Sequence, residues 1–477
     1  MKKHYYERSN LLESDVNINF EELLYMNDEE TSEWIESLRS FIISEWDDKG
    51  IPPTIGSNTK DIKKNFKKLR EYDVHNKFLI HDDDGNKNVI KNYNKHASSV
   101  NQFFPTMLKT RVQNGSIYDW FTDEYKHKFE KVILRILKRD SMYNWSKCVK
   151  DGEELPENFF IVQHKHNQVE SIYKTLSVEE VGELDDKHKT NLPTELDGDT
   201  YKFLVRDFQL GQKLFPAGIQ AFRLGLGQPA VNFPPLTARY LYEHYTNHIK
   251  QDTPLNIYDP SSGWGGRILG AMSSLKRIHY IGTDPNPDNF GRYEAVADFY
   301  NSNCVDDFSE TFTQFFEVEK QSNTYDVYRE GSELIGNNSN FQSYKGALDL
   351  VFTSPPYFNR EQYSQDENQS FKAYSQYEDW VENFLRPTLT TAYEYLKNDR
   401  YILWNIASIK IGANTYYDLE GDSRKILEEL GCEYKGKLKM LMTRMIGLDP
   451  SKTGILNSVQ HDNNVYKYEP IFVYYKP

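Results

Sequence analysis

The chain has 477 residues, 38% of them hydrophobic and 27% charged, and a formal net charge of −14. Its mean hydropathy is −0.73, and no apolar run approaches the about 18 residues that cross a bilayer. A membrane protein is thereby excluded, and a soluble chain of two or three domains is expected. The acidic balance argues against a protein that coats nucleic acid without specificity, although it leaves room for a local basic groove.

Met1-Lys2-Lys3-His4-Tyr5 lacks the apolar core of a signal peptide, so an intracellular chain is expected. Cys148, Cys304 and Cys432 stand far apart, without CxxC or Cys/His spacing. That pattern suits buried, inert thiols better than a disulfide framework or a zinc site.

In chain order, Leu11 to Asp48 is acidic with helical periodicity, and Pro52 and Pro53 punctuate it. The basic run Lys60 to Arg70 reads as an amphipathic helix. Trp120 to Arg139 contains another, with Phe129, Ile133, Ile136 and Leu137 on its apolar side. Residues 150–199 are polar and loop-like, and a domain boundary is placed at Asp197-Gly198-Asp199. His164-Lys165-His166 reads as a surface strand and not as a metal site.

From about Tyr201 short apolar runs alternate with helical patterns, as βαβ units around a parallel sheet require. Leu255–Tyr258, Ile278–Thr283, Tyr325–Tyr328, Leu348–Phe352, Tyr401–Trp404 and Pro470–Tyr475 are the predicted strands. In such sheets ligands bind at the carboxyl ends of the strands.

Two turns stand at such ends. Asp259-Pro260-Ser261-Ser262-Gly263-Trp264-Gly265-Gly266-Arg267 joins a strand to a helix, and Asp284 closes the following strand. Glycines there permit a tight turn and close approach of a ligand, and a carboxylate like Asp284 can accept from ribose hydroxyls. The third glycine of a dinucleotide fingerprint is missing.

The second turn, Thr353-Ser354-Pro355-Pro356-Tyr357-Phe358, ends the Leu348 strand. Its two prolines remove amide donors and fix the backbone, so the carbonyls keep a set direction. Acceptors held that way suit an exocyclic base amine, whose lone pair is delocalised into the ring. They would draw its nitrogen toward tetrahedral geometry and stabilise the charge that develops there. The competing reading of this turn is a polyproline bend with a packed tyrosine.

These features together resemble class I S-adenosylmethionine-dependent amino-methyltransferases of the DNA (cytosine-N4/adenine-N6) type, over about Phe215 to Pro477. The resemblance implies a Rossmann-like α/β domain over 201–477 beside a mostly helical or mixed N-terminal domain over 1–200. It implies S-adenosyl-L-methionine as cofactor, bound by Phe233, Asp259, Pro260, Gly263, Gly265, Gly266, Asp284 and Ser332. The helix entry Asn232-Phe233-Pro234-Pro235 would lie beside the methionine part, and Gly331-Ser332-Glu333 beside the adenine. Ser354, Pro355, Pro356 and Tyr357 would be catalytic, with Ser354 and the Pro355 carbonyl accepting from the amine and Tyr357 stacking on the flipped base.

Serine at the first position of the catalytic turn resembles the cytosine-N4 enzymes more than the adenine-N6 ones. The loop Asn359 to Ser364, with Gln369-Ser370, is expected to close over base and cofactor, Glu361 and Tyr363 being candidate contacts, ahead of a helix Trp380–Leu385. DNA is the expected partner and no membrane is. RNA methylation, or a non-catalytic binding protein on the same fold, remain as alternatives. Residues 1–200 either recognise the target, with basic helices on phosphates, or pack on the catalytic domain or bind a protein.

Overall fold

The computed structural model describes residues 27–50, 52, 58–92, 96, 98–112, 115–140, 171–174, 204–207, 230–305, 322–364, 366–411, 415–444 and 457–477. Among them the chain forms two compact units, one from the described residues within 58–112 and 230–477, the other from those within 27–52 and 115–207.

The first unit is built on a ten-stranded sheet. Its strands are β1 (Leu79–Ile80), β2 (Val89–Ile90), β3 (Leu255–Asp259), β4 (Ile278–Thr283) and β5 (Thr324–Tyr328), followed by β6 (Leu348–Thr353), β7 (Leu396–Asn405), β8 (Glu433–Arg444), β9 (Ser458–His461) and β10 (Asn464–Lys476). The order across the sheet is β1-β2-β8-β10-β7-β6-β3-β4-β5, with β9 paired to β10. The five central strands β5, β4, β3, β6 and β7 are mutually parallel, and β10 runs antiparallel to β7 and β8. The expected Rossmann-like α/β architecture is present. The chain travels outward from β3 to β5 and then returns to lay β6 beside β3, so the strand order reverses between β3 and β6. That switch point is where a crevice opens at the carboxyl ends.

The central strands are apolar on both faces because helices cover both. Successive residues alternate between two cores, as a period of two demands. Ile257, Tyr280, Leu350, Phe352 and Leu403 join one; Tyr258, Ile281, Val351, Ile402 and Trp404 join the other. The first core is closed by α1 (Thr59–Glu71), α2 (Pro235–Tyr245), α3 (Gly266–Met272) and α4 (Arg292–Cys304). The second is closed by α5 (Arg386–Tyr395) and α6 (Leu419–Glu429). Helix α5 follows a π turn over Val381–Leu385, the segment expected as a helix. Cys304 and Cys432 are buried free thiols pushed up to about 12 by desolvation.

The expected boundary at residues 197–199 lies outside the described residues, and one cut there does not separate the two units. Residues 58–112 belong with the sheet. On α1 the basic run does form an amphipathic helix, and its Ile62, Phe66 and Leu69 are fully buried in the first core. Burial contributes about 1.5–3 kcal/mol for each such side chain, enough to hold the helix on the sheet. The buried Arg239 of α2 adds a polar tie, donating to the carbonyls of Leu69, Arg70 and Tyr72 while paired with Glu243 at 2.8 Å. Strand β2 pairs with β8 through Val89 and Ile90.

In the second unit, helix Asp28–Lys49 starts at a capping box between Asn27 and Glu30 and stops at Gly50, φ 76°. Its Ile35, Leu38, Ile42 and Trp46 are buried, as are Trp120, Phe121, Phe129 and Ile133 on and before the helix Lys126–Asp140. Ser171–Lys174 pairs antiparallel with Leu204–Asp207. Residues 11–26, Cys148 and His164-Lys165-His166 lie outside the described residues. No helix among the described residues is long and apolar enough to cross a membrane.

Candidate functional site

Strand β3 delivers Asp259 to the carboxyl edge, fully buried, where both carboxylate oxygens are taken by the protein itself. Oδ2 accepts from Arg267 Nε at 2.7 Å and from the Tyr280 hydroxyl at 2.6 Å. Oδ1 accepts from the Ser261 amide at 3.2 Å and from Thr353 Oγ1 at 2.7 Å. Asp259, expected to bind the cofactor, therefore organises the turn from behind, with both oxygens accepting from groups of the chain. Pro260 is buried, and its carbonyl accepts from Thr283 Oγ1 at 2.7 Å.

The glycines shape the turn in two ways. Gly265, at φ 77°, caps α3 in the left-handed region, which a side chain would strain. Gly266 is needed for space: a Cβ there would stand 2.0 Å from the Phe233 carbonyl oxygen. Phe233 thus lies directly on the turn, its ring edge-on to Phe352 of β6 at 5.2 Å. Asn232, which sequence reasoning left without a role, clasps the turn by accepting from the Gly266 amide and donating to the Trp264 carbonyl. Its only signal was its place just before the Pro-initiated helix.

Asp284 closes β4. Its Oδ2 accepts from the Gly263 amide at 3.1 Å and from the Tyr293 hydroxyl at 2.8 Å, and its Oδ1 from the Asn286 amide at 2.8 Å. Burial pushes its carboxyl up to about 6, against the pull of those donors. Beyond β5, the Ser332 hydroxyl turns inward to Thr388 of α5 at 2.9 Å, so the neighbour Glu333 is the better-placed polar group. Glu333 Oε2 is buried without a partner, and burial pushes that carboxyl up.

The turn after β6 is joined to the turn after β3. Thr353 Oγ1 donates to Asp259 and accepts from the Ser261 amide at 3.1 Å. Ser354 is half-buried, Pro355 buried and Pro356 half-buried. Tyr357 points its hydroxyl at the end of β7 and the middle of β10, donating to Glu469 and lying 3.3 Å from the Asn405 carbonyl oxygen, with the Ser354 hydroxyl also on it. The bend closes at Phe358, whose φ of 47° is rare for a bulky residue. Rings of Tyr377, Trp380 and Tyr417 at 5.2–5.9 Å hold it there.

The segment beyond crosses back toward the first turn. Glu361-Gln362 pairs antiparallel with Arg111-Val112. Tyr363 lays its ring on Trp264 at 5.4 Å and donates its hydroxyl to Glu361 Oε2 at 2.5 Å. Burial pushes the carboxyls of Glu361 and Glu469 up, with Arg360 offsetting part of the effect.

Among known proteins, residues 348–477 match the family described as DNA methylase, N6_N4_Mtase. No curated protein matches the sequence. Among solved structures, the chain is similar to a candidate DNA modification methylase from Thermus thermophilus, at 15% identity and TM-score 0.22 over 31% of this chain and 51% of that one. The same protein complexed with S-adenosyl-L-methionine matches at 15% identity and TM-score 0.21, over 31% and 54%. A SAM-dependent methyltransferase from Agrobacterium tumefaciens matches at 14% identity and TM-score 0.30, over 53% and 64%. The matched region thus spans about half the length of the Thermus protein.

The strand order and the mostly parallel sheet give the sheet-bearing unit a Rossmann-like α/β fold, with the two turns joined at its switch point. Its residues 348–477, which begin with β6 and the Ser-Pro-Pro-Tyr turn, are the part that matches the DNA methylase family.

Proposed function

We propose that this chain is an S-adenosylmethionine-dependent DNA methyltransferase acting on the exocyclic amine of a base, cytosine N4 in preference to adenine N6. The observation that carries the reading is the Thr353–Asp259 hydrogen bond, which sets the catalytic turn beside the cofactor turn at the switch point. Tests of fit come from unspent polar groups. Glu333 Oε2 is a buried acceptor lacking a donor, as an adenine amine would supply. Asp284 Oδ1 accepts from a single amide and would accept a ribose hydroxyl through its second lone pair. Gly263, Gly265, Gly266 and Phe233 would shape the bed for the methionine part.

The cofactor supplies an electrophilic methyl group on a sulfonium. The Ser354 hydroxyl and the Pro355 carbonyl accept from the two amine hydrogens of the base, which localises the nitrogen lone pair. The Tyr357 ring stacks on the base after it leaves the duplex, and its anchored hydroxyl fixes the ring plane. With the sulfonium methyl donor bound, these acceptors would hold the amine for transfer of the methyl from sulfur to nitrogen, and the proton released from the amine would pass to water. In-line placement of amine and methyl contributes much of the rate. The preference for cytosine N4 rests on Ser354 alone.

Incubation with tritiated S-adenosylmethionine and mixed DNA, followed by nucleoside mass spectrometry, tests the proposal. N4-methylcytosine is the expected product. Appearance of 5-methylcytosine would sink the mechanism, since carbon methylation needs a nucleophile that this turn does not provide. A parallel incubation with tRNA separates DNA from RNA as substrate.

A further inference from the structure

Glu361 and Tyr363, just beyond the catalytic turn, and Trp264 of the cofactor turn have no part in the chemistry above. Glu361 is fixed from three sides: its backbone pairs with Val112, it follows the catalytic turn by a few residues, and Tyr363 donates to its Oε2. The Tyr363 ring rests on Trp264 of the cofactor turn, and its hydroxyl feels both Asp284 and Arg267 electrostatically. The three side chains therefore link the segment after the catalytic turn to the cofactor turn.

The charge there is unbalanced. Arg267 is spent on Asp259 at 2.7 Å. Glu469 lies in the field of Glu361, and Arg360 is the cation that acts on both glutamates. Carboxylates crowded into a low-dielectric crevice are costly unless a cation joins them. Oε1 of Glu361 has no hydrogen-bond partner among the described residues. A centre without N–H groups suits this setting better than an ammonium does. It is attracted by ring faces and by charge, and it needs no set of directed acceptors.

We infer that Glu361, held by Tyr363 and flanked by Trp264, is the subsite that recognises the sulfonium charge of S-adenosylmethionine and so separates this cofactor from its neutral product, S-adenosylhomocysteine. This rests on the cofactor proposed above. The consequence is product release: once the methyl has gone the positive charge is lost, and the crevice no longer favours the ligand.

Calorimetric titration of the full chain with each ligand tests the assignment without turnover. Glu361→Gln, which keeps shape and removes charge, is expected to weaken S-adenosylmethionine about tenfold and S-adenosylhomocysteine less than about threefold. Tyr363→Phe, which removes only the hydroxyl orienting Glu361, is expected to lower the affinity ratio about threefold, and it carries the test should the first variant not fold. An unchanged ratio, with both ligands weakened equally or neither affected, overturns the inference while leaving the cofactor proposal standing. Wild-type chain that binds neither ligand overturns both.

Discussion

Thr353 Oγ1 donates to Asp259 Oδ1 across 2.7 Å, and the same oxygen receives the Ser261 amide at 3.1 Å. One hydroxyl thereby joins the last residue of β6 to the last residue of β3, and through them the two turns of the proposed site. Loss of a buried hydrogen bond to a charged group costs about 1.5–3 kcal/mol. Thr353→Val is accordingly expected to lower unfolding free energy by about that amount, read by urea denaturation. The rate of methyl transfer should fall further than cofactor affinity does, because the relative placement of the turns is lost. Thr353→Ser, which keeps the hydroxyl, should restore most of both.

Asp284 leads to a pH dependence of cofactor binding. Its carboxyl stands at about 6 in the ligand-free chain, chiefly through burial. Ribose hydroxyls donate to the ionised form, so binding pulls that value down. Affinity should be flat above about pH 6 and fall by up to about tenfold per pH unit below it. Folding follows the opposite sign. A folded value above the ordinary carboxylate range means the folded chain holds more protons between about pH 4 and 6, so this group's contribution to stability declines as pH rises through that window. Isothermal titration from pH 5 to 8 reads the binding effect, and Asp284→Asn should flatten it at low affinity.

Gly266→Ala should abolish cofactor binding and destabilise the unit. The added methyl would stand 2.0 Å from a backbone carbonyl oxygen, which cannot swing aside as a side-chain tip does. Gly291, also in the left-handed region at φ 76° but with nothing within 4 Å of a Cβ, is the control. Gly291→Ala should cost only the backbone strain of about 1–2 kcal/mol. Thermal denaturation with and without S-adenosylmethionine compares them.

Tyr357→Ala removes the stacking ring and is expected to abolish methyl transfer while leaving cofactor affinity intact. Tyr357→Phe keeps the ring but leaves the enclosed Glu469 without its phenol donor. It should retain stacking and lose rate by about tenfold or more, as a lost bond to a charged partner implies. Radiolabel transfer alongside cofactor titration distinguishes the two roles. Retention of full activity by the alanine variant would remove Tyr357 from the mechanism.

The exposed lysines Lys60 and Lys64 of α1 are candidates for phosphate contacts. Reversing both to glutamate should weaken DNA binding uniformly across sequences and lower the slope of log affinity against log salt by about two. An unchanged slope in fluorescence anisotropy would assign α1 a packing role alone.

Some of this protein was settled by local pattern. Apolar runs closed by Asp, Pro or Gly marked β3, β4, β6, β7 and β10, because a strand buried on both faces must be continuously apolar. The Asp259–Arg267 and Thr353–Tyr357 turns were readable for a related reason. Tight backbone geometry accepts few residue types, so glycine and proline report it directly. Tertiary structure decided the rest. Residues 58–112 look like part of an N-terminal domain, yet Phe66 and Ile90 lie in the core of the sheet, and burial is a property of what folds against a residue. Asp259 and Ser332 had the right positions for ligand contacts, but Thr353, Arg267, Tyr280 and Thr388 claim their polar atoms. Conversely Asn232, Glu333 and Glu469 acquired their places only through partners, or the lack of one, distant in the chain. Spacing along a sequence reports backbone shape, whereas the owner of a carboxylate's lone pairs is known only once distant strands are side by side.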